Sequence, residues 1–217
     1  MSTVTRRPIR ARDTKWAAAT ARWLARVGLR PNQISILSTV FGGLAGLCLW
    51  WVGAVDCPWL RSAGCLGAAV GMQLRLLCNL FDGMVAVEGG MKSKSGELFN
   101  ELPDRFSDAF ILIGAGYASR ELAWLPLLGW VAAILALITA YVRTLGAAAG
   151  AGQHFLGPMA KQHRMAILTV ASVVGAVAGF YSRQGEVFGA ALAVINLGCL
   201  VTIARRCRKI ALELESR

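Results

Sequence analysis

Apolar residues gather into six stretches along the chain, at about 34–55, 63–85, 104–118, 123–145, 165–181 and 187–204. Roughly 20 mostly apolar helical residues cross a hydrocarbon core of about 30 Å. The pattern therefore predicts an all-α integral membrane protein with six transmembrane helices. The third stretch is the odd one: its apolar part, 109–118, is short, and it spans only if the polar turns from about Leu98 also lie at membrane depth. Ahead of the first run, 13–29 reads as an amphipathic helix, with Trp16, Thr20, Trp23, Leu24 and Val27 on one face and Lys15, Arg22 and Arg26 on the other. Such a helix either lies flat on the membrane surface or packs against the bundle. The expected organisation is a basic N-terminus with this surface helix (1–32), a six-helix domain (33–205) and a basic tail (206–217).

Composition agrees with the pattern. At 56% hydrophobic and 16% charged residues, the 217-residue chain is too apolar for a soluble domain of its size. Eight Lys and Arg precede the first run and five follow the last, and the links 82–98 and 146–164 are also basic. The positive-inside rule then predicts that both termini and these two links are cytoplasmic, in a bacterial inner membrane. The first thirty residues are basic with no apolar core, so no cleavable signal peptide is expected. A net charge of +11 reads as topology plus attraction to anionic membrane lipid. No nucleic-acid partner is expected, because basic and aromatic residues do not interleave beyond the N-terminus. The six cysteines form no CxxC pair and read as apolar filler, with a Cys57–Cys65 disulfide across the predicted outward loop left open. Gly42 and Gly46 have the spacing of close helix packing in lipid.

One stretch breaks the apolar pattern. Residues 79–108, NLFDGMVAVEGGMKSKSGELFNELPDRFSD, hold six of the twelve acids. At helical spacing Asn79, Asp82 and Ala86 share one face, and Glu97, Asn100 or Glu101, Asp104 and Asp108 form a stripe on the next segment. Glu88 and Glu97 fit solvated positions at helix ends, Glu97 at a helix start where the dipole favours acids. Asp82, Asp104 and Asp108 border apolar runs, where a carboxylate costs about 2.5 kcal/mol or more and usually marks function. Two oxygen-rich faces joined by a basic glycine link suit a hard cation, magnesium or manganese, shared with a substrate diphosphate. The chemistry this favours is transfer at phosphorus.

The spacing Asn79-x2-Asp82-Gly83-x2-Ala86-Val87-x8-Gly96-x3-Asn100-x3-Asp104 resembles the signature of the CDP-alcohol phosphotransferase (CDP-alcohol phosphatidyltransferase) family, D-x2-D-G-x2-A-R-x8-G-x3-D-x3-D. Every gap is in register. GLRPNQISILS at 28–38 is similar to the family's run before its first span, and the resemblance covers most of residues 25–205. It implies a membrane enzyme of phospholipid synthesis that moves a substituted phosphate from a CDP-diacylglycerol-type donor to an alcohol or polyol phosphate, releasing CMP. It also implies a divalent metal, magnesium or manganese, and a homodimer as a common assembly. Carried over by position, Asp82 is a metal ligand and Asp104 a metal neighbour and catalytic base, with Asn79 and Asn100 at the remaining metal positions. Gly83, Ala86 and Gly96 give room to cytidine and diphosphate. Arg143 and the cluster Lys161 to Arg164 resemble, more weakly, the family's acceptor-side residues, and His154 and His163 read as solvated loop residues.

The chain differs from the signature at three places: Asn79 and Asn100 replace aspartates, and Val87 replaces an arginine. Each Asn keeps a carbonyl oxygen but loses a negative charge. Two compensations are open. Either Glu97 or Glu101, with Asp108 nearby, replaces the missing carboxylates, or one metal suffices and Arg75 neutralises diphosphate charge. The alternatives to an enzyme are a catalytically degenerate relative that binds liponucleotide or a partner, and a small ion-coupled transporter.

Overall fold

A computed structural model describes residues 14–88 and 96–216, apart from the side chains of Glu88, Glu97 and Asn100. The basic glycine link, 89–95, on which a ligand-wrapping role was expected, lies outside the described residues. Seven α-helices and no strands occur among those described: α1 (Lys15–Arg26), α2 (Pro31–Ala54), α3 (Pro58–Glu88), α4 (Gly96–Gly116), α5 (Leu125–Ala148), α6 (Lys161–Ala178) and α7 (Gln184–Glu215).

Local chemistry sets the helix ends. Gly28, at φ +85°, turns the chain between α1 and α2 in the left-handed region that glycine tolerates. Pro31 then starts α2, where its missing N–H costs nothing, and Gln33 Oε1 accepts from the Arg30 N–H at 2.9 Å.

Helices α2, α3, α6, α7, α5 and α4 pack each against the next and back to α2, so the six form a closed ring, with α4 also touching α7. The centre is filled by Ala45, Leu49, Met72, Ile111, Leu168 and Phe188. Large apolar side chains such as Leu47, Ile134, Val177 and Leu197 point outward, as a lipid-facing surface requires.

Helices α2 and α4 run parallel and nearly in backbone contact. Thr39 lies by the Pro103 carbonyl, Gly42 by Ser107, Gly46 by Phe110 and Gly114, and Gly53 by Tyr117. A Cβ on Gly46 would run into the Phe110 carbonyl, and one on Gly114 into the Gly46 carbonyl. The packing expected of Gly42 and Gly46 is thus present.

Five helices, α2, α3, α5, α6 and α7, are long and apolar enough to cross a membrane. The chain is an all-helical integral membrane protein. Helix α4 is not among the five, because its first turns carry the polar stripe; it begins at Gly96 and holds Pro103 in its interior. Helix α7 runs on without a break to Glu215.

In α1 the buried residues are Ala17 and Ala21, packed with Ile34, Leu80, Phe81 and Val85, while Trp23 and Val27 are exposed and Trp16 meets the Phe81 ring edge-on at 6.0 Å. Leu24 also packs on this cluster, so of the two placements left open α1 takes the one against the bundle, through Ala17, Ala21 and Leu24. All six cysteines are free. Because α3 already begins at Pro58, Cys65 is wholly buried two turns along it while Cys57 is exposed before it, which corrects the disulfide alternative.

Candidate active site

An open cavity of about 410 Å³ lies where α3, α4, α5, α6 and α7 meet. Its charged wall consists of Glu101, Asp104 and Arg105 from α4, Arg143 from α5, Lys161 and Arg164 from α6, and Arg206 from α7. Trp16, Leu77 and Phe155 supply apolar parts of the wall.

Asp104, 8% exposed, is the hub. Lys161 Nζ donates to its Oδ2 at 2.5 Å, and Asn79 Nδ2 donates to its Oδ1 at 2.9 Å. Arg75 Nη2 stands 3.5 Å from the same Oδ1. An ionised carboxylate only accepts, which fixes the orientation of Asn79: its NH2 faces Asp104, and its Oδ1 accepts from the Ser38 hydroxyl at 2.8 Å.

One turn along α4, Asp108 is 2% exposed and bridges two arginines, accepting from Arg75 Nη2 and Arg164 Nη2 at 2.5 Å each. Arg164 is pinned further by the Met159 carbonyl at 2.9 Å. Asp82, 5% exposed, accepts from the Ser35 hydroxyl of α2 at 2.8 Å. Among the described residues no cation forms an ion pair with it. Arg143 Nη2 donates to Glu101 Oε1 at 2.6 Å and lies 5.3 Å from the Phe155 ring centre, while Arg105 reaches Glu101 Oε2 at 3.1 Å. Arg206 donates to the carbonyls of Leu156, at 2.9 Å, and Thr139.

The structure thus brings together Asn79, Asp104, Glu101, Arg143, Lys161 and Arg164. Asp82 sits behind them against α2, outside the cavity wall, as do Gly83 and Ala86 on the last turns of α3 and Gly96 at the start of α4. The side chains of Glu97 and Asn100 lie outside the described residues. Glu101 and Asp108 do not replace the missing carboxylates, because each is held by two arginines. Arg75 is wholly buried and bound to aspartates, so it is not presented to a diphosphate. His154 is paired, not simply solvated: its Nε2 lies 2.6 Å from Glu213 Oε2. Sequence reasoning missed Arg206, which it counted only as a basic residue of the tail. It also missed the two α2 serines, Ser35 and Ser38. Arg206 follows Thr202 by one turn, two residues beyond the predicted apolar run, on a helix that continues to Glu215.

The chain is 30% identical over 157 residues to the archaetidylinositol phosphate synthase of Pyrococcus horikoshii, an alignment covering 71% of this chain and 74% of that enzyme. This chain belongs to the CDP-alcohol phosphotransferase family. No family model matches it. As a CDP-alcohol phosphotransferase it is a membrane enzyme of phospholipid synthesis that transfers a substituted phosphate from a CDP-linked lipid to an alcohol, releasing CMP. Family membership displaces the transporter alternative. The fold agrees. The phosphatidylinositol phosphate synthase PgsA1 of Mycobacterium tuberculosis with CDP-DAG bound is similar at a TM-score of 0.74 and 19% identity, over 91% of this chain and 94% of that one. The same enzyme in complex with manganese and citrate is similar at 0.72 and 20%, over 89% and 88%.

The donor chemistry of this site fits a hard cation. Two buried carboxylates, Asp82 and Asp104, offer oxygen ligands, and a magnesium-type ion takes one or two carboxylates with substrate phosphates completing its shell. No third acid, His or Cys converges with them among the described residues.

Proposed function

We propose that this transferase uses a CDP-diacylglycerol-type donor and a phosphorylated polyol acceptor, of the inositol phosphate kind named for the similar enzymes. The observation that carries the acceptor class is the wall of one cavity: Arg105, Arg143, Lys161, Arg164 and Arg206 stand against two carboxylates, Glu101 and Asp104. That surplus of cations is more than a neutral alcohol requires, and guanidinium groups match phosphate oxygens in geometry.

Asp104 takes the proton from the acceptor hydroxyl, since it is the carboxylate on that wall not held by two arginines. Lys161 orients it and moves aside or follows as the proton arrives. Arg143 and Arg206 hold the acceptor's phosphate, and Trp16 and Leu77 form the apolar edge along which the donor lies. Asp82 and Asp104 hold a divalent ion, magnesium or manganese, which when bound supplies charge stabilisation at the diphosphate and the departing CMP. Positioning and charge do most of the work in such transfers.

The reading includes six spans. Helix α4 is 21 residues long, about 31 Å at 1.5 Å per residue, and it lies parallel to α2, itself long and apolar enough to span, from Thr39 to Gly53. That supports a crossing at the same depth. The six-helix domain, 33–205, the basic termini and the site's cytoplasmic position in a bacterial inner membrane follow from the distribution of Lys and Arg.

The test is CMP release from CDP-diacylglycerol by purified protein with manganese, offered inositol phosphate, glycerol phosphate, free inositol or serine. Turnover with a phosphorylated polyol and little with its dephosphorylated form is expected. Equal rates with free inositol would sink the acceptor assignment.

A further inference from the structure

At the cavity, six charges form one cluster. Three are buried acids, Asp82, Asp104 and Asp108, and three are bases, Arg75 and Arg164 buried and Lys161 partly buried. The cluster is neutral by itself. Its neighbours on the wall, Glu101 with Arg105 and Arg143, and then Arg206, add a positive surplus. Among the described residues, a bare divalent ion therefore meets no negative charge in excess.

Both carboxylate edges of Asp104 are already occupied: Oδ2 by the Lys161 ammonium at 2.5 Å, and Oδ1 by the Asn79 amide at 2.9 Å with Arg75 3.5 Å away. At Asn79 the group turned toward Asp104 is an NH2, so this residue fills the space beside the carboxylate as a donor and offers it no ligand oxygen. Asp82 accepts from the Ser35 hydroxyl and the Gly83 backbone, and no cation forms an ion pair with it among the described residues. One cation can be accommodated between Asp82 and Asp104 once a diphosphate arrives to supply negative charge. A second would add two more positive charges next to Lys161 and Arg75, with no carboxylate among the described residues left to receive them.

We infer that this chain works with one divalent ion, taken up together with the donor's diphosphate, and that Lys161 provides at Asp104 the positive charge that a second ion would otherwise supply. The inference rests on the donor reading above. It makes Lys161 a positioning residue for Asp104 and gives Asn79 a purpose: an aspartate at 79 would stand 2.9 Å from Asp104 as a like charge and would call for another cation.

The experiment is equilibrium dialysis of Mn2+ against the full chain in zwitterionic nanodiscs, with bound ion counted by electron paramagnetic resonance, with and without CDP-diacylglycerol in the disc. One Mn2+ per chain is expected with the donor and at least about tenfold weaker binding without it. Lys161→Met and Asn79→Asp each leave the cluster one charge negative, so each should tighten donor-free Mn2+ binding about tenfold or more. Unchanged elution of both variants on size-exclusion chromatography separates this gain from carboxylates exposed by misfolding. Two Mn2+ per wild-type chain with donor present, or no tightening in either variant, overturns the inference while the donor reading stands. No Mn2+ retained even with donor overturns both.

Discussion

Replacing Asp108 by Asn tests whether the buried charge cluster holds the ring together. The change keeps the shape of the side chain and removes the one charge that serves two guanidinium groups, each 2.5 Å away. Arg75 Nε and Nη1 and Arg164 Nε have no hydrogen-bond partner among the described residues, so Arg164 would be left buried without a carboxylate and Arg75 with Asp104 alone, 3.5 Å away. Removing one partner of a buried pair costs about 3–5 kcal/mol. Arg164 keeps the Met159 carbonyl and Arg75 keeps the Asp104 carbonyl, and the Asn oxygen still accepts one bond, so the lower end of that range is expected. For a chain of this size each kcal/mol moves the midpoint by about 2–4 °C, which predicts a fall of roughly 10 °C for Asp108→Asn. Size-exclusion chromatography after heating in detergent reads this directly. Adding Arg75→Met in the same chain should recover part of the loss, because one stranded charge is then gone. A midpoint within about 2 °C of wild type would refute the account, since it would mean that the arginines are compensated elsewhere.

Asp104→Asn should lower CMP release by about 10²–10⁴-fold, the usual share of a general base, with unchanged elution of the protein; a rate above a tenth of wild type would remove Asp104 from that role. Arg206→Met should raise KM for the phosphorylated acceptor by about tenfold or more, since a hydrogen bond to a charged group is worth about 1.5–3 kcal/mol, while leaving the KM for its dephosphorylated form unchanged. Gly114→Leu would drive a side chain into the Gly46 backbone and should destabilise by about 1–3 kcal/mol, seen as a lower thermal midpoint; Gly43→Leu, whose Cβ would meet only the Phe110 ring at 3.8 Å, is the control that should fold normally. A maleimide should label Cys57 and Cys207 but not Cys65 in the folded chain without reductant, and failure of Cys57 to react until reduced would bring the disulfide back.

The apolar runs predicted α2, α3, α5, α6 and α7 because burial in lipid demands long uninterrupted hydrophobic helices, a constraint written in composition. The site was legible to the extent that spacing encodes a face: Asn79 and Asp104 do meet, as the signature implies. What spacing does not encode is which partner a charge selects. Asp108 and Arg75 read as a spare carboxylate and a diphosphate contact, yet each satisfies the other because both are buried where an unpaired charge is most costly. Arg206 counted as topology because a basic residue near a membrane surface has two explanations, and only the turn of α7 toward Thr139 separates them. The amphipathic pattern of α1 left its placement open because polarity alone does not show that Ala17 and Ala21 permit close contact with α3.

The backbone contact between α2 and α4 has a consequence for catalysis at a distance. Residues 110–114, which touch Gly46, lie six to ten residues beyond Asp104, about 9–15 Å along the helix axis. Since neither side has a Cβ to yield, α4 cannot slide against α2 by a fraction of a turn, and a full-turn slip would shift Asp104 by about 5.4 Å, out of reach of Lys161. The pair of glycines works as a depth gauge, fixing the height of Asp104 in the bundle, and residues that line no part of the cavity thereby set its level.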